Sequence, residues 1–292
     1  MLRGVPLVRH DGKLSVVTLV ALAQLGRGLL PPDTPVLHAD DEGVLRGRSV
    51  FETLRVYGGA PFKLDAHLDR LAASAARLRL AAPPSDSFAA AVSEAIEAGG
   101  APDAALRLLW TAGREGGGPP TGLVLVSTLP PDHERLRARG LRLAVVPWAA
   151  GALAGAKSTS YAENIAAQAE AASRGDDDAL LVASDGTVLE APTSNVWFRE
   201  GERLFTPSLA LPLLAGVTRA TVCELAPRAG YEVEEGRFPL ERLLDADEVF
   251  LTSSVREVMP VTAVDGKPVA KGPAAAALQA ALRAAAGYPD GR

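Results

Sequence analysis

Lys157 carries the clearest chemical reading in the chain. Only five of the 30 basic residues are lysines, at 13, 63, 157, 267 and 271. Lys13 and Lys267 each follow an Asp-Gly pair, which is hairpin-turn chemistry that sends the next side chain toward water. Lys157 instead sits among small neutral residues, in Gly151-Ala-Leu-Ala-Gly-Ala-Lys157-Ser-Thr-Ser-Tyr161. A lysine amine in such surroundings loses hydration, its pKa falls, and it becomes a nucleophile toward carbonyl carbon near neutral pH.

Four further segments supply chemistry that complements this amine. Glu190 follows the Asp185-Gly186 turn and offers a carboxylate that could keep a heterocyclic nitrogen protonated; taken alone it reads as a solvated edge residue. Gly216-Val217-Thr218-Arg219 places a glycine before a helix start, where the free N–H groups of Val217 and Thr218 and the positive end of the helix dipole favour an anion. Thr252-Ser253-Ser254 follows an apolar run and offers hydroxyls to the same anion. Arg70 adds charge from an amphipathic helix, and its neighbour Asp69 points elsewhere, so no local pairing is expected to neutralise it. An amine for an aldehyde, an acid for a pyridine nitrogen and a phosphate cradle are the requirements of pyridoxal 5'-phosphate (PLP).

The elements that must position these groups alternate between strand and helix. Val50–Tyr57 reads as a strand, with a second short one at Ala60–Leu64. An amphipathic helix follows from Asp65, its expected N-cap, to Leu78, with Leu68, Leu71, Ala75 and Leu78 on one face. A second helix at Phe88–Ala98 ends on Gly99-Gly100, and strands at Ala105–Thr111 and Thr121–Thr128 flank a glycine-rich loop. Pro130-Pro131 marks a break. Beyond it come a strand at Leu141–Val146, a helix at Tyr161–Ser173, and a hairpin of Ala179–Ala183 with Thr187–Ala191. A strand pair at Asn195–Phe198 and Arg203–Phe205 precedes a helix that ends or kinks at Pro227. Strands at Glu248–Thr252 and Val258–Val264 complete the pattern. We therefore expect an α/β (α+β) protein of two domains, a small one at 1–130 and a larger one at 137–292 carrying Lys157.

Bulk properties exclude several classes. The 292 residues are 48% apolar and 22% charged, with a formal charge of −5, which suits a globular enzyme and disfavours nucleic-acid or anionic-membrane partners. No apolar run approaches the roughly 20 residues of a membrane span, and Met1–His10 lacks a signal-peptide core. Cys223 is the single cysteine, so no internal disulfide forms and a cytoplasmic location is expected. The four histidines are scattered, without zinc spacing.

From Gly47 to Leu78 and from Lys157 to Val264 the chain resembles the class IV (fold type IV) PLP enzymes, which comprise branched-chain aminotransferases, D-amino acid aminotransferases and aminodeoxychorismate lyases. The residues that carry the resemblance are Val50-Phe-Glu-Thr-Leu-Arg-Val56, His67-Leu-Asp-Arg-Leu71, Lys157 with Tyr161 and Asn164, Asp185-Gly-Thr-Val-Leu-Glu190, Ser194-Asn-Val-Trp-Phe198, Gly216-Val-Thr-Arg219, and Phe250-Leu-Thr-Ser-Ser254 with Met259-Pro-Val261. The resemblance implies a two-domain D-amino acid aminotransferase-like fold, usually a homodimer, with the cofactor between the domains. It implies Lys157 as the residue that forms a Schiff base with PLP and then shuttles protons, and Glu190 as the partner of the ring nitrogen. Arg70, Val217, Thr218, Ser253 and Ser254 would hold the phosphate, Tyr161 would steady the phenolic oxygen, and Asn195 would orient the loop near Glu190.

The reaction is less constrained. Where D-amino acid aminotransferases carry an Arg/His carboxylate trap, this chain has Gly117, Gly118 and Pro119, which disfavours D-amino acid transamination. The ending Leu251-Thr-Ser-Ser-Val-Arg-Glu-Val-Met-Pro260 is closer to the lyase type. Arg55, Arg107 and Arg256 are candidates for an anionic substrate such as aminodeoxychorismate, although strand-edge arginines facing water are common. The first expectation is therefore an aminodeoxychorismate lyase, releasing pyruvate and 4-aminobenzoate; the second is an amino-acid aminotransferase, L- or branched-chain before D-. Two readings from other classes stand beside these. Gly151–Ser158 is a near miss to a nucleotide-binding phosphate loop, with Ala156 where glycine is needed. A non-catalytic relative that binds PLP or a partner is the other.

Overall fold

The structure, a computed structural model, describes residues 6–10 and 13–288. Residues 1–5 and 289–292 lie outside the described residues, as do Asp11 and Gly12, where the sequence reading expects a turn. The chain divides into two compact units, Met1–Asp132 with Ala156–Ser160, and His133–Gly155 with Tyr161–Arg292. The expected C-terminal placement of Lys157 is thereby corrected: its short segment belongs to the first unit. The reason is backbone pairing, described below.

In the first unit β1 (Pro6–His10) and β2 (Lys13–Val16) pair with each other. The remaining elements are β3 (Leu19–Gln24), β4 (Gly28–Leu30), α1 (Glu42–Arg46), β5 (Ser49–Tyr57), β6 (Ala60–Pro61), α2 (Leu64–Arg77), α3 (Ser85–Gly99), β7 (Ala104–Thr111) and β8 (Gly122–Ser127). Six strands form one antiparallel sheet in the order β4-β3-β8-β7-β5-β6. Strand period 2 divides β5: Val50, Leu54 and Val56 enter the core, where they share a cluster with Leu68, Leu71 and Ala75 of α2 and Phe88, Val92 and Ile96 of α3. Residues 62–64 do not extend β6, because the chain turns at once into α2. Lys63, in the left-handed region at φ 55°, precedes α2 without a side-chain cap, and Asp65 lies in the first turn rather than at the N-cap.

The second unit contains α4 (His133–Arg139), β9 (Leu141–Trp148), α5 (Ala162–Ser173), β10 (Asp178–Ala183), β11 (Glu190–Ala191), β12 (Ser194–Glu200), β13 (Arg203–Pro207), α6 (Val217–Leu225), β14 (Glu232–Gly236), α7 (Leu240–Leu244), β15 (Glu248–Ser253), β16 (Glu257–Val264), β17 (Lys267–Pro268) and α8 (Pro273–Ala285). Its mixed nine-stranded sheet runs β10-β9-β16-β15-β12-β13-β14, with β11 on β12 and β17 on β16. One hydrophobic cluster combines Leu143, Leu180, Val196, Phe198, Phe205, Val249 and Val261 with Phe238 and Leu243; a second joins Ala144, Leu181 and Leu189 to Ala167 and Ala171 of α5. α6 gives way at Ala226 to a 3-10 turn containing Pro227, as the missing N–H of proline requires.

The expected strand at Thr187–Ala191 is broken. The hairpin with β10 forms only about Val182 and Val188, where Ala183 N–H donates to Thr187 O and Leu189 N–H to Leu181 O, and from Glu190 the chain pairs with Asn195 instead. Among the described residues no helix is long and apolar enough to cross a membrane.

Candidate active site

In the first unit, the segment around Lys157 lies along the edge of β5. Phe51 N–H donates to Lys157 O at 2.9 Å, Thr159 N–H donates to Ser49 O at 3.0 Å, and Val50 faces Ser158 across an isolated bridge. Lys157 is therefore in extended backbone, and α5 begins only at Ala162. A phosphate-loop lysine sits at a helix start, so the nucleotide-binding alternative lacks its geometry. Gly47, at φ 65°, belongs to this docking, since a Cβ there would lie 2.6 Å from Ser160 Oγ.

The Lys157 Nζ stands 4.6 Å from the centroid of the Phe51 ring, and the Arg107 guanidinium carbon 5.6 Å from the same centroid. Two cations on one ring are drawn by its negative face. Phe51 and Arg107 lie on the face of β5 and β7 opposite the apolar core, where Arg107 pairs in register with Thr53. Arg107 is exposed. Arg55 belongs to the same strand face but is buried, with its guanidinium 4.8 Å from the Tyr57 ring centroid.

Arg70 departs from expectation. Its Nε and Nη2 fork onto Glu52 Oε1 and Oε2 at 2.8 and 2.6 Å, and His67 Nδ1 lies 2.7 Å from Glu52 Oε2. Asp69 is indeed not the partner; Glu52, inward-facing on β5 and fully buried, is. Burial alone pushes the Glu52 carboxyl up, but the hydrogen bonds and charges of Arg70 and His67 outweigh it and hold the group at about 2. Burial also pushes His67 down, against the pull of Glu52, which favours the neutral ring.

In the second unit, β11 and β12 set Glu190 opposite Asn195. Asn195 Nδ2 donates to Glu190 Oε2 at 3.1 Å and to Leu214 O at 3.0 Å, and Leu214 N–H donates to both Glu190 oxygens at 3.2 Å. Asn195 and Leu214 together hold the carboxylate in place. Gly216 is the N-cap of α6, which has no side-chain cap bond, and the first helical bond is Ala220 N–H to Gly216 O. The N–H groups of Val217, Thr218 and Arg219 thus precede the intrahelical ladder and suit an anion. A Cβ on Gly216 would come within 2.0 Å of Asn195 Oδ1, so only glycine permits Asn195 and the helix start to coexist.

Ser253 closes β15, and Ser254 opens the tip that leads to Glu257. Glu257 holds the left-handed region at φ 60°, which costs a residue with a Cβ on the order of 1–2 kcal/mol. Its buried carboxylate offsets this by accepting bonds from Arg137, Gln279 and Arg283 at 2.7–2.8 Å. Three expectations need correction here. Thr252 turns into the core, where its hydroxyl accepts from Trp197 Nε1 at 3.0 Å. Arg256 donates to the fully buried Asp178 at 2.5 Å, so its charge is already matched. The Tyr161 hydroxyl donates to Pro192 O at 2.5 Å, beside Asn164 Nδ2 at 3.0 Å, which commits its one proton to the turn between Glu190 and Asn195 rather than to a phenolic oxygen.

Residues missed from sequence are Glu52, Ser74 and Leu214. Glu52 left a trace, an acid at an inward slot between Val50 and Leu54. Leu214 acts through its backbone and left none.

Both units are α/β: the first carries the edge-bound lysine amine, and the second carries the anchored carboxylate and an uncapped helix start that suits an anion. The amino-transferase class IV family model matches residues 49–264, and the chain belongs to that family, whose members are PLP-dependent enzymes. It is 35% identical over 269 residues to the bifunctional aminodeoxychorismate lyase / D-amino acid transaminase of Mycobacterium tuberculosis, covering 85% of this chain and 92% of that one. It is 34% identical to the aminodeoxychorismate lyase of Bacillus subtilis, covering 79% and 82%. The PLP-bound form of a hypothetical aminotransferase from Mycobacterium tuberculosis superposes with a TM-score of 0.85 at 33% identity, covering 91% and 98%. Branched-chain-amino-acid aminotransferases are among the matches as well.

Gly216→Ala tests the anion site of the second unit. The added methyl is expected to displace Asn195, free Glu190, destabilise the fold by about 1–3 kcal/mol and weaken PLP binding. Thermal melting with an absorbance titration of PLP measures both.

Proposed function

We propose that the protein is a PLP-dependent aminodeoxychorismate lyase that releases pyruvate and leaves 4-aminobenzoate. Each unit carries groups that suit the cofactor. In the first, Lys157 would supply the amine for its aldehyde, and Arg70, oriented by Glu52, would add charge toward its phosphate; in the second, Glu190 would supply the charge for its ring nitrogen, and Val217, Thr218, Ser253 and Ser254 would supply donors for the phosphate. When bound, PLP supplies an electron sink for negative charge at the substrate carbon next to the amine. Lys157 Nζ would be the base for the proton on that carbon, and Glu190 would be the carboxylate that keeps the ring nitrogen protonated. The substrate is split without a second reactant, since its atoms equal those of 4-aminobenzoate plus pyruvate. No keto-acid acceptor is consumed.

The observation that carries the lyase reading is Arg107, exposed and sharing the Phe51 ring with the Lys157 amine. It offers a cation to a substrate carboxylate. Arg256, by contrast, is matched by Asp178 and is left out of the substrate set, and so is Arg55, which is buried against Tyr57. The names of the two lyase relatives support the same choice.

Amino-acid transamination is the second reading, supported by the branched-chain relatives. The D-series enters it too: one relative pairs lyase with D-amino acid transaminase, which weakens the argument from Gly117, Gly118 and Pro119. We further propose a cytoplasmic homodimer, the usual state implied by the resemblance. PLP-loaded protein given aminodeoxychorismate is expected to yield 4-aminobenzoate and pyruvate in equal amounts without 2-oxoglutarate. Turnover only of L- or D-amino acids with 2-oxoglutarate would replace the lyase reading with the second one.

A further inference from the structure

Ser74 lies on α2, a helix whose inner face is otherwise apolar or ion-paired. The face runs His67, Arg70, Leu71, Ser74, with helical spacing. His67 and Arg70 grip Glu52 of β5, and Leu71 packs in the core. Ser74 is 2% exposed. A serine inside a helix gains nothing from helix propensity, and a buried hydroxyl needs a partner. Its Oγ accepts the backbone N–H of Lys157 at 3.1 Å, across 83 residues of sequence.

We infer that Ser74 is a positioning residue for the Lys157 amine. The bond fixes the atom immediately before the Lys157 Cα, while Phe51 N–H fixes the carbonyl just after it. Lys157 is therefore referenced to two rigid elements, helix α2 on one side and strand β5 on the other. The stretch before it, Gly151–Ala156, is a small-residue loop outside any regular element, and cannot set the direction of the Cα–Cβ bond. A lysine side chain has four rotatable bonds, so an error at Cα is carried to Nζ. The same helix face that orients Arg70 through Glu52 thus registers the reacting amine, keeping the two at a fixed spacing along α2 and its β5 edge.

This inference rests on the reading of Lys157 as the PLP-bearing lysine, and the experiment separates the two. Wild-type protein is mixed with PLP, the C=N linkage (formed with loss of one water) is trapped by borohydride, and the modified residue is located by peptide mass. Pyridoxamine 5'-phosphate, which shares ring and phosphate but has no aldehyde, measures binding that does not use the amine. Ser74→Ala is expected to reduce the rate and extent of attachment at Lys157 about tenfold, the scale of one lost hydrogen bond that leaves a buried N–H unmet. Pyridoxamine phosphate affinity is expected to change less than twofold. Ser74→Thr, which keeps the hydroxyl, is expected to restore attachment, and Ser74→Cys, a weak acceptor of similar size, to fall between.

Unchanged attachment in Ser74→Ala, with the wild type trapped at Lys157, would overturn the role of Ser74 alone. A parallel loss of pyridoxamine phosphate binding would overturn it too, since a merely structural serine predicts that pattern. Wild-type protein that traps no PLP at Lys157 would remove the underlying reading, and this inference with it.

Discussion

Lys157→Ala is expected to fold, to bind pyridoxamine 5'-phosphate with near wild-type affinity, and to lose turnover by at least about 10³-fold, within the range that a positioned proton-transfer group contributes. It is also expected to yield no borohydride-trapped PLP. The fold should survive because the contacts that dock this segment are made by the backbone: Lys157 O with Phe51 N–H, Lys157 N–H with Ser74, and Thr159 N–H with Ser49. Alanine keeps all three. What it removes is the amine above Phe51. Lys157→Arg keeps a cation on that ring but offers no neutral nitrogen at physiological pH, so it should be as inactive as alanine. Partial recovery of Lys157→Ala by a small primary amine in solution would identify proton transfer as the missing step. Retained turnover in either variant would sink the assignment. Single-turnover assays with each variant, alongside thermal melting, give the comparison.

The parts of this site legible in the sequence are those set by local rules. The alternation Val50, Leu54, Val56 against Phe51 and Thr53 marks β5 and its two faces. The Leu68, Leu71, Ala75 spacing marks α2, and Gly216 ahead of Val217 marks an uncapped helix start. Pro227 stops α6 where its ring must. Contacts that join distant segments were not legible. The Glu52 partnership of Arg70, the Asp178 partnership of Arg256 and the Ser74 bond to Lys157 depend on which helix lies over which strand. No spacing rule within one element encodes that. Arg256 shows the cost of ignoring it: a charge that looks available in a loop is cancelled by an acid 78 residues earlier. Thr187–Ala191 failed for a related reason. Its pairing with β10 is real but short, Ala183 N–H to Thr187 O and Leu189 N–H to Leu181 O, and at Glu190 the chain leaves β10 to pair with Asn195 of β12, a partner no local spacing names.

Glu52 should dominate the acid response of the first unit. Its carboxyl is held at about 2, against an ordinary value near 4.5, by Arg70 and His67 acting against burial. The folded state therefore binds its proton more weakly than the unfolded chain does. Above pH 4.5 both states are ionised and the stabilisation is complete. As pH falls below 4.5 the unfolded chain takes up the proton first, and stability drains until the folded carboxyl also protonates near pH 2. A difference of this size corresponds to about 3 kcal/mol over the window. His67 acts in the same sense from a higher starting point. Its folded pKa lies below the ordinary 6.5, so the unfolded chain gains a proton there that the folded ring resists, and stability begins to decline on the acid side of 6.5. Glu52→Gln is expected to flatten the loss between pH 4.5 and 2. It should also lower stability at pH 7 by roughly 3–5 kcal/mol, because Arg70, only 12% exposed, is left without its counter-charge. Urea unfolding from pH 7 to pH 3 for both proteins measures the two slopes. A variant that keeps the wild-type acid slope would show that the proton is taken up elsewhere. A variant as stable as the wild type at pH 7 would show that Arg70 finds its partner in another group.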